Sequence, residues 1–202
     1  MSSLSLSVVI AFTDEERIYL KDKFQVLCQP VLEGDRQAFD EFCGKIYLFC
    51  DEIYHIGKGR KWPERNWANG HPPIEMPNDD VIYSVGSNIT AYILPLYKNY
   101  LQKSESLYKM VCDVIAEEKF EGGRHSFIED IWPKTKKTEG IDIKNLLSTP
   151  RPGVYAVSAL LKLRDGRFVK EVAKLQTKLT KETWIVWRKK VALYLERYGE
   201  QE

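Results

Sequence analysis

The sequence predicts a mostly α-helical protein, in which a helical bundle body is followed by a basic C-terminal segment of three helices. Apolar residues recur every three or four positions through long stretches, which is the spacing of one face of an α-helix. Capping residues stand where several stretches begin, and the strict alternation of a β-hairpin fails at Ala159–Leu161. With 44% hydrophobic and 12% aromatic residues, the 202-residue chain has the composition of a protein with a packed core. We expect the body to span residues 1–150 and the basic segment residues 151–202.

The first predicted helix begins at a capping box, the sequence Thr13-Asp-Glu-Glu16. In such a box the side chains of the first and fourth residues each accept the free backbone N–H of the other. We expect the helix to end at Pro30, because proline lacks the N–H that a helix interior needs. The side chains expected to face the core are Ile18, Phe24 and Leu27.

A second helix is predicted from Gly34-Asp35 to Gly57, antiparallel to the first. Its apolar residues repeat at helical spacing, and glycine commonly follows the last turn of a helix. The side chains expected to be buried are Phe39, Phe42, Cys43, Ile46, Cys50 and Ile53.

Residues 58–80 break this pattern and are predicted to form a long loop. The segment mixes basic residues with turn-forming prolines and glycines, and a loop of this length in a compact domain is usually functional or disordered. We expect it to be ordered, with Trp62 and Trp67 at least partly buried, because disordered segments are poor in aromatic residues. The following residues, Val81 to Val85, fit either a strand or the start of a helix.

The next predicted helix runs from Pro95 to Lys119 and ends before Gly122-Gly123. Proline suits its first turn, where the missing N–H would have no partner. The stripe expected to be buried comprises Tyr97, Tyr100, Leu101, Leu107, Val111, Val114 and Ile115. Residues 124–150 are predicted to be loop-like, apart from a short amphipathic piece at Ile128–Trp132.

The last fifty residues predict three helices. The apolar run Val154–Leu163 has helical length, and Asp165-Gly166 makes a turn after it. The second of these helices carries on one face Phe168, Val172, Leu175 and Leu179. Thr180 can cap the final helix. The inward residues of that helix are expected to be Trp184, Trp187, Val191, Leu195 and Tyr198.

The charge of the chain is unevenly distributed, although its net value is only +1. Residues 1–57 hold five basic and ten acidic side chains, whereas residues 151–202 hold twelve basic and six acidic ones. Such a split indicates either that the two ends attract each other or that the basic end meets an acidic partner.

The last two helices resemble a helix-turn-helix DNA-binding module, from Phe168 into the final helix. Such modules need a small residue where the helices cross, here Ala173, and apolar anchors around the turn, here Leu179 and Val186. The resemblance implies that the start of the final helix faces bases and that flanking cations reach phosphates. The nucleic-acid-binding residues it implies are Lys174, Lys178, Lys181, Thr183, Arg188, Lys189 and Lys190. The alternative is the end of a helical bundle whose lysines form a solvated face.

Residues 65–71 resemble the signature of HEPN-type ribonucleases, in which an arginine and a polar residue are followed, after a short gap, by a histidine. Members of that family are helical domains that usually act as dimers. The resemblance implies that Arg65 and His71 are catalytic, the arginine holding the phosphate and the histidine moving protons. The alternative is a structural loop whose tryptophans pack on the body.

Two acid–histidine pairs are the remaining candidates for chemistry. If their helices faced each other, Asp51 with His55 and His125 with Glu129 would make a four-ligand metal site. The sequence contains no phosphate-binding glycine loop, no dinucleotide-binding fingerprint and no hydrolase or zinc-protease motif. We therefore expect no cofactor and no bound metal, and a binding protein rather than a metabolic enzyme.

The sequence also predicts where the protein resides. No stretch approaches the roughly 20 apolar residues of a membrane-spanning helix, and no basic residue precedes the apolar run near the N-terminus, as a secretory signal would require. The cysteines lack disulfide or metal spacing, which indicates a reducing compartment such as the cytoplasm. They are Cys28, Cys43, Cys50 and Cys112.

The leading functional hypothesis from the sequence is a nucleic-acid-associated binding protein, either a DNA-binding regulator or a subunit of a nucleoprotein complex. Two alternatives stay open: a HEPN-like ribonuclease using Arg65 and His71, and a helical scaffold that binds only protein. The first two need nucleic acid as a partner, and the last two need a protein partner or a second copy of the chain.

Overall fold

A computed structural model of the protein describes residues 6–7, 11–60, 77–179 and 185–199. Within those ranges every regular element is a helix and none is a strand, which confirms the mostly α-helical prediction. The described residues divide into two compact units. The first unit comprises residues 6–7, 11–60 and 77–137, and the second comprises residues 138–179 and 185–199.

Helix α1, Asp14–Cys28, begins the first unit with the predicted capping box. The Thr13 side chain accepts the backbone N–H of Glu16, and the Glu16 carboxylate accepts that of Thr13. The buried stripe is Leu20, Phe24 and Cys28. The prediction that Ile18 faces the core is wrong, since this side chain is 60% exposed. Two residues before Leu20, it lies about 160° around the helix from that residue.

Helix α2, Arg36–Gly57, is the centre of the first unit and contacts α1 together with the later helices α3, Pro77–Asn88, and α4, Glu105–Ala116. The Asp35 carboxylate caps it by accepting the N–H of Ala38 at 2.9 Å. Every apolar side chain predicted to be buried on this helix is buried, together with Phe49. The helix buries one apolar face and exposes the opposite face to solvent, so its periodicity is easy to read.

Helix α3 corrects the end of the predicted loop. The loop was expected to continue to residue 80, but the helix begins at Pro77 and carries Val81, Ile82 and Val85 into the core. Proline fits a first helical turn, and the acidic Asp79 in that turn complements the positive end of the helix dipole. Trp62 and Trp67 lie outside the described residues.

The long helix predicted from Pro95 to Lys119 is interrupted. A π-helical turn at Ile89–Ile93 and a 3₁₀ turn at Leu94–Tyr97 precede α4. The Ser104 hydroxyl caps α4 by accepting the N–H of Leu107 at 3.0 Å. The predicted stripe is nevertheless buried except for Tyr100, which is half-buried. The interrupted segments still turn these side chains toward the core.

Residues 124–150 are more ordered than predicted. After a 3₁₀ segment at Glu118–Arg124, a π-helical turn at Phe127–Ile131 leads into α5, Trp132–Thr135. These turns bury four large side chains completely. They are Phe127, Ile128, Ile131 and Trp132. Such short non-α turns have weak sequence patterns, which explains the loop-like prediction.

The second unit contains α6, Ile143–Ser148, then α7, Pro150–Leu163, α8, Val169–Lys178, and α9, Ile185–Tyr198. Helix α6 packs against both α7 and α8, and residues 138–150 group with the C-terminal helices. Among the described residues, no helix combines the length and the apolar character that crossing a membrane requires.

The core residues of α8 and α9 follow the predicted faces, with an addition on α9. Buried as expected are Val172, Leu175, Leu179 and Val191. Half-buried are Phe168, Trp187, Leu195 and Tyr198. The addition is Tyr194, which is completely buried. Thr180 and Trp184 lie outside the described residues.

Candidate nucleic-acid interface

The exposed face of α8 carries three lysines in one line. Lys170, Lys174 and Lys178 are spaced i, i+4 and i+8, and all three side chains are exposed. One step of four residues is about 6 Å along a helix, so the line is about 12 Å long. We call these three residues the lysine row.

The orientation of the lysine row is set by the opposite face of α8. Val172 and Leu175 are completely buried there. Gly153 of α7 permits the close contact, because a Cβ at that position would lie 2.9 Å from Leu175 Cδ2 and 3.2 Å from the carbonyl oxygen of Leu146. A Cβ at Gly153 would require the Leu175 side chain to move and the Leu146 carbonyl to shift by a few tenths of an ångström. The lysine row therefore projects from a closely packed support.

The surroundings of the lysine row include one acidic residue of the same helix. The only acidic residue of α8 is Glu171, whose carboxylate lies 3.7 Å from the ammonium of Lys144 on α6. Lys178 Nζ donates to the Ser148 carbonyl oxygen at 2.6 Å. Lys174 makes no ion pair or side-chain hydrogen bond with another described residue. Like charges at i, i+4 destabilise a helix by about 0.2–0.5 kcal/mol per pair, so this arrangement does not serve the helix itself.

The three consecutive basic residues of α9 are not brought together. Successive residues of a helix are rotated by about 100°, so Arg188, Lys189 and Lys190 point in three directions. Lys189 is exposed and Arg188 is half-buried. Lys190 Nζ donates to the Ser158 hydroxyl at 3.0 Å and lies 4.3 Å from the ring centroid of Trp187. The structure therefore does not form a single phosphate-contacting cluster from them.

The position of Ala173 does not agree with the helix-turn-helix comparison. This residue was expected at a close crossing of the two helices, but its side chain is exposed. The small residue at a close crossing is Gly153, and the helices that meet there are α7 and α8. Lys181, Thr183 and the side chain of Val186 lie outside the described residues.

The acidic residues near the N-terminus have partners in the first unit. Asp14 pairs with Arg17, and Glu16 pairs with Arg60. Arg60 also donates to the carbonyl oxygen of Ala11 at 2.9 Å. The Glu16–Arg60 pair therefore holds the start of α1 to the residues just after α2, whereas the Asp14–Arg17 pair lies within α1.

The described residues include the predicted metal ligands but not the predicted nuclease residues. Asp51 and His55 are 3.6 Å apart, but the carboxylate of Asp51 also pairs with Lys119 at 2.8 Å. No group of three or more potential ligands occurs within the described residues, so the two acid–histidine pairs do not form a metal site. Arg65 and His71 lie outside those residues, so the ribonuclease alternative is not tested.

A buried polar group in the first unit was missed by the sequence reasoning. Asp79 accepts the N–H of Gly122 at 3.2 Å, and Arg124 donates to the Ile115 carbonyl oxygen at 2.7 Å, which caps the end of α4. Burial lowers the pKa of Arg124. The neighbouring His125 is also buried. These contacts hold the 3₁₀ segment against α3 and α4, so the group has a structural role. In the sequence, the feature that could have indicated this group is the glycine pair directly before Arg124 and His125.

The cysteines offer no reactive site. Cys28, Cys43 and Cys50 are buried and free, and Cys112 is half-buried and free. Burial raises the pKa of the Cys28 thiol to about 12 and raises those of the other three. The thiolate, which is the reactive form, is therefore scarce at neutral pH.

Comparison of the chain with protein-family models, with curated proteins and with solved structures found no match. The functional argument therefore rests on the residues described above.

Proposed function

We propose that the protein binds nucleic acid through its second unit, with the lysine row of α8 against backbone phosphates. The observation that carries the proposal is the alignment of Lys170, Lys174 and Lys178 on one exposed face of α8. Neutralising phosphates releases the cations condensed on the nucleic acid, and this release drives sequence-independent binding. In this function the protein serves as a DNA-binding regulator or as a subunit of a nucleoprotein complex.

The test compares two pairs of lysine substitutions. The row variant is Lys170→Gln with Lys174→Gln; Lys178 is left in place because its ammonium bonds the Ser148 carbonyl. The control variant is Lys21→Gln with Lys45→Gln, which removes the same charge from exposed positions on α1 and α2. Binding is measured by mobility shift and fluorescence anisotropy with duplex DNA, single-stranded DNA and duplex RNA at low salt.

We expect the wild type and the control variant to bind equally and the row variant to bind about tenfold or more weakly, since each lost phosphate contact removes one released counterion. Circular dichroism and melting temperature should not change, because exposed charges contribute little to stability. No binding by the wild type to any of the three probes would refute the proposal and favour a scaffold that binds only protein. Equal binding by the row and control variants would refute the role of α8.

A further inference from the structure

We infer that two copies of the chain pair through the outward face of α2, antiparallel about a two-fold axis at Leu48. Leu48 lies opposite the buried stripe of α2, and its side chain is 64% exposed. A single exposed leucine is ordinary on a protein surface, so the inference depends on the residues around it. It concerns the first unit and is independent of the proposed nucleic-acid binding.

Val26 of α1 extends the apolar centre of this face. Helices α1 and α2 run antiparallel, and Lys23 pairs with Glu52 at 2.6 Å. Val26 lies about one turn after Lys23, and Leu48 lies about one turn before Glu52, so the two apolar side chains come close to the same level. Val26 is 68% exposed. Gly44, one turn before Leu48, leaves space beside them, because a Cβ there would meet nothing within 4 Å.

The charged residues of α2 are arranged about Leu48 with opposite signs on its two sides. Lys45 stands three residues before Leu48, and Glu52 stands four residues after it. In an antiparallel pair, a residue before Leu48 meets the residue that lies the same distance after Leu48 in the second copy. Lys45 then lies within one residue, about 1.5 Å along the axis, of Glu52 of the second copy.

Lys45 and Glu52 also match around the helix. Residues seven apart differ by only about 20°, so these two share one side of α2. That side is next to α1, because Glu52 pairs with Lys23 and accepts a hydrogen bond from the Tyr19 hydroxyl. A two-fold axis that lies in the interface and crosses α2 at a right angle keeps this side aligned in both copies. The pair between Lys45 and Glu52 therefore forms twice.

The outer parts of the face match as well. Glu41 and His55 stand seven residues before and seven residues after Leu48, about 10 Å from the axis. Glu41 is exposed, and the side chain of His55 is 62% exposed. An imidazole N–H can donate to a carboxylate, so each His55 meets Glu41 of the second copy. An apolar centre with a polar rim is typical of a protein interface, and a two-fold pair requires a self-complementary surface.

The first experiment measures association of the full-length chain by sedimentation equilibrium. A face of two helices is a small interface, so we expect a dissociation constant of about 1–50 µM. Leu48→Glu should weaken association by about tenfold or more, because it places two carboxylates at the axis. The control is Leu96→Glu, a 51% exposed leucine of the same unit, which should associate as the wild type does.

A wild-type chain that remains monomeric up to about 200 µM would overturn the inference, since that concentration is well above the expected dissociation constant. Equal weakening by Leu48→Glu and Leu96→Glu would also overturn it, because the effect would then not belong to the face of α2.

The second experiment tests the register with charge reversal. Lys45→Glu and Glu52→Lys each place like charges opposite one another twice, so each variant alone should associate at least about tenfold more weakly. An equimolar mixture of the two restores both opposite-charge pairs and should form a heterodimer within about threefold of wild-type affinity. Reversal is used because the neutral Lys45→Gln keeps a side-chain donor for the Glu52 carboxylate. Circular dichroism checks that each variant is folded. Folded variants that do not recover association on mixing would overturn the antiparallel pairing about Leu48.

Discussion

The side chain of Tyr194 connects α9 by hydrogen bonds to the turn that precedes α8. The ring is completely buried, and its hydroxyl donates to the Asp165 carbonyl oxygen at 2.8 Å and accepts the N–H of Phe168 at 3.3 Å. Burial raises the pKa of Tyr194 to about 12, so the hydroxyl remains a donor throughout the neutral range. The Tyr194 hydroxyl therefore contributes two hydrogen bonds to the contact of α9 with this turn, where Tyr198 also packs against Gly166.

We predict that Tyr194→Phe lowers the free energy of unfolding by about 1–3 kcal/mol, because it leaves buried backbone groups without their partner. The measurement is urea denaturation followed by circular dichroism. The control is Tyr92→Phe, whose side chain is 38% exposed and should change stability by less than about 0.5 kcal/mol. A Tyr194→Phe protein as stable as the control would show that the two hydrogen bonds do not contribute.

The role of Tyr194 could not be predicted from the sequence. The apolar spacing that led to Val191 continued to Leu195, which is only half-buried. A buried tyrosine needs a partner for its hydroxyl, and here the partners lie in a turn 26 and 29 residues away. Local periodicity carries no information about such a contact.

At the scale of the element, α8 behaves as an amphipathic helix with one acidic residue among its lysines. Glu171 lies beside Lys170 in sequence and pairs with Lys144. Its negative charge lies close to the surface that we propose for phosphate binding. Removing it should strengthen binding without altering any lysine of the row.

We predict that Glu171→Gln raises the affinity for duplex DNA by up to about fivefold at low salt, since an exposed charge contributes at most about 1 kcal/mol. Fluorescence anisotropy measures the change. The matched control is Glu33→Gln, an exposed glutamate of the first unit, which should leave affinity unchanged. Affinity that stays constant or falls in the α8 variant would place the nucleic acid elsewhere.

Whether an element could be predicted depends on where its contacts lie. The start and end of helix α2 were predicted to within two residues, because the apolar spacing within the helix itself indicates where it lies. The break before α4 was missed because it depends on distant partners. The Tyr97 hydroxyl donates to the Val31 carbonyl oxygen at 2.6 Å, and the Tyr100 and Ser104 hydroxyls donate to the Asp40 carboxylate. Those bonds connect residues that are 60 to 66 positions apart in the sequence, beyond the reach of any local pattern.

At the scale of the whole molecule, the excess of basic residues after residue 150 was visible in the sequence, but its arrangement was not. Lys174 and Lys178 were predicted as contacts, whereas Lys170 was missed although its spacing completes the row. The cluster at residues 188–190 attracted the prediction because those residues are adjacent in sequence. Adjacent residues on a helix diverge by about 100°, while residues four apart align.

The central claim is that α8 meets phosphates, and the dependence of affinity on salt tests it most directly. The logarithm of the dissociation constant for duplex DNA is measured against the logarithm of salt concentration for wild type, for Lys170→Gln with Lys174→Gln, and for Lys21→Gln with Lys45→Gln. Each phosphate contact contributes a slope of about 0.9 for duplex DNA.

We predict that the slope for the variant with both α8 lysines replaced is shallower than that of wild type by about 2, because two contacts are lost. The control variant should keep the wild-type slope, since Lys21 and Lys45 lie in the first unit. Equal slopes for all three proteins, or a loss of slope in the control variant alone, would contradict the account.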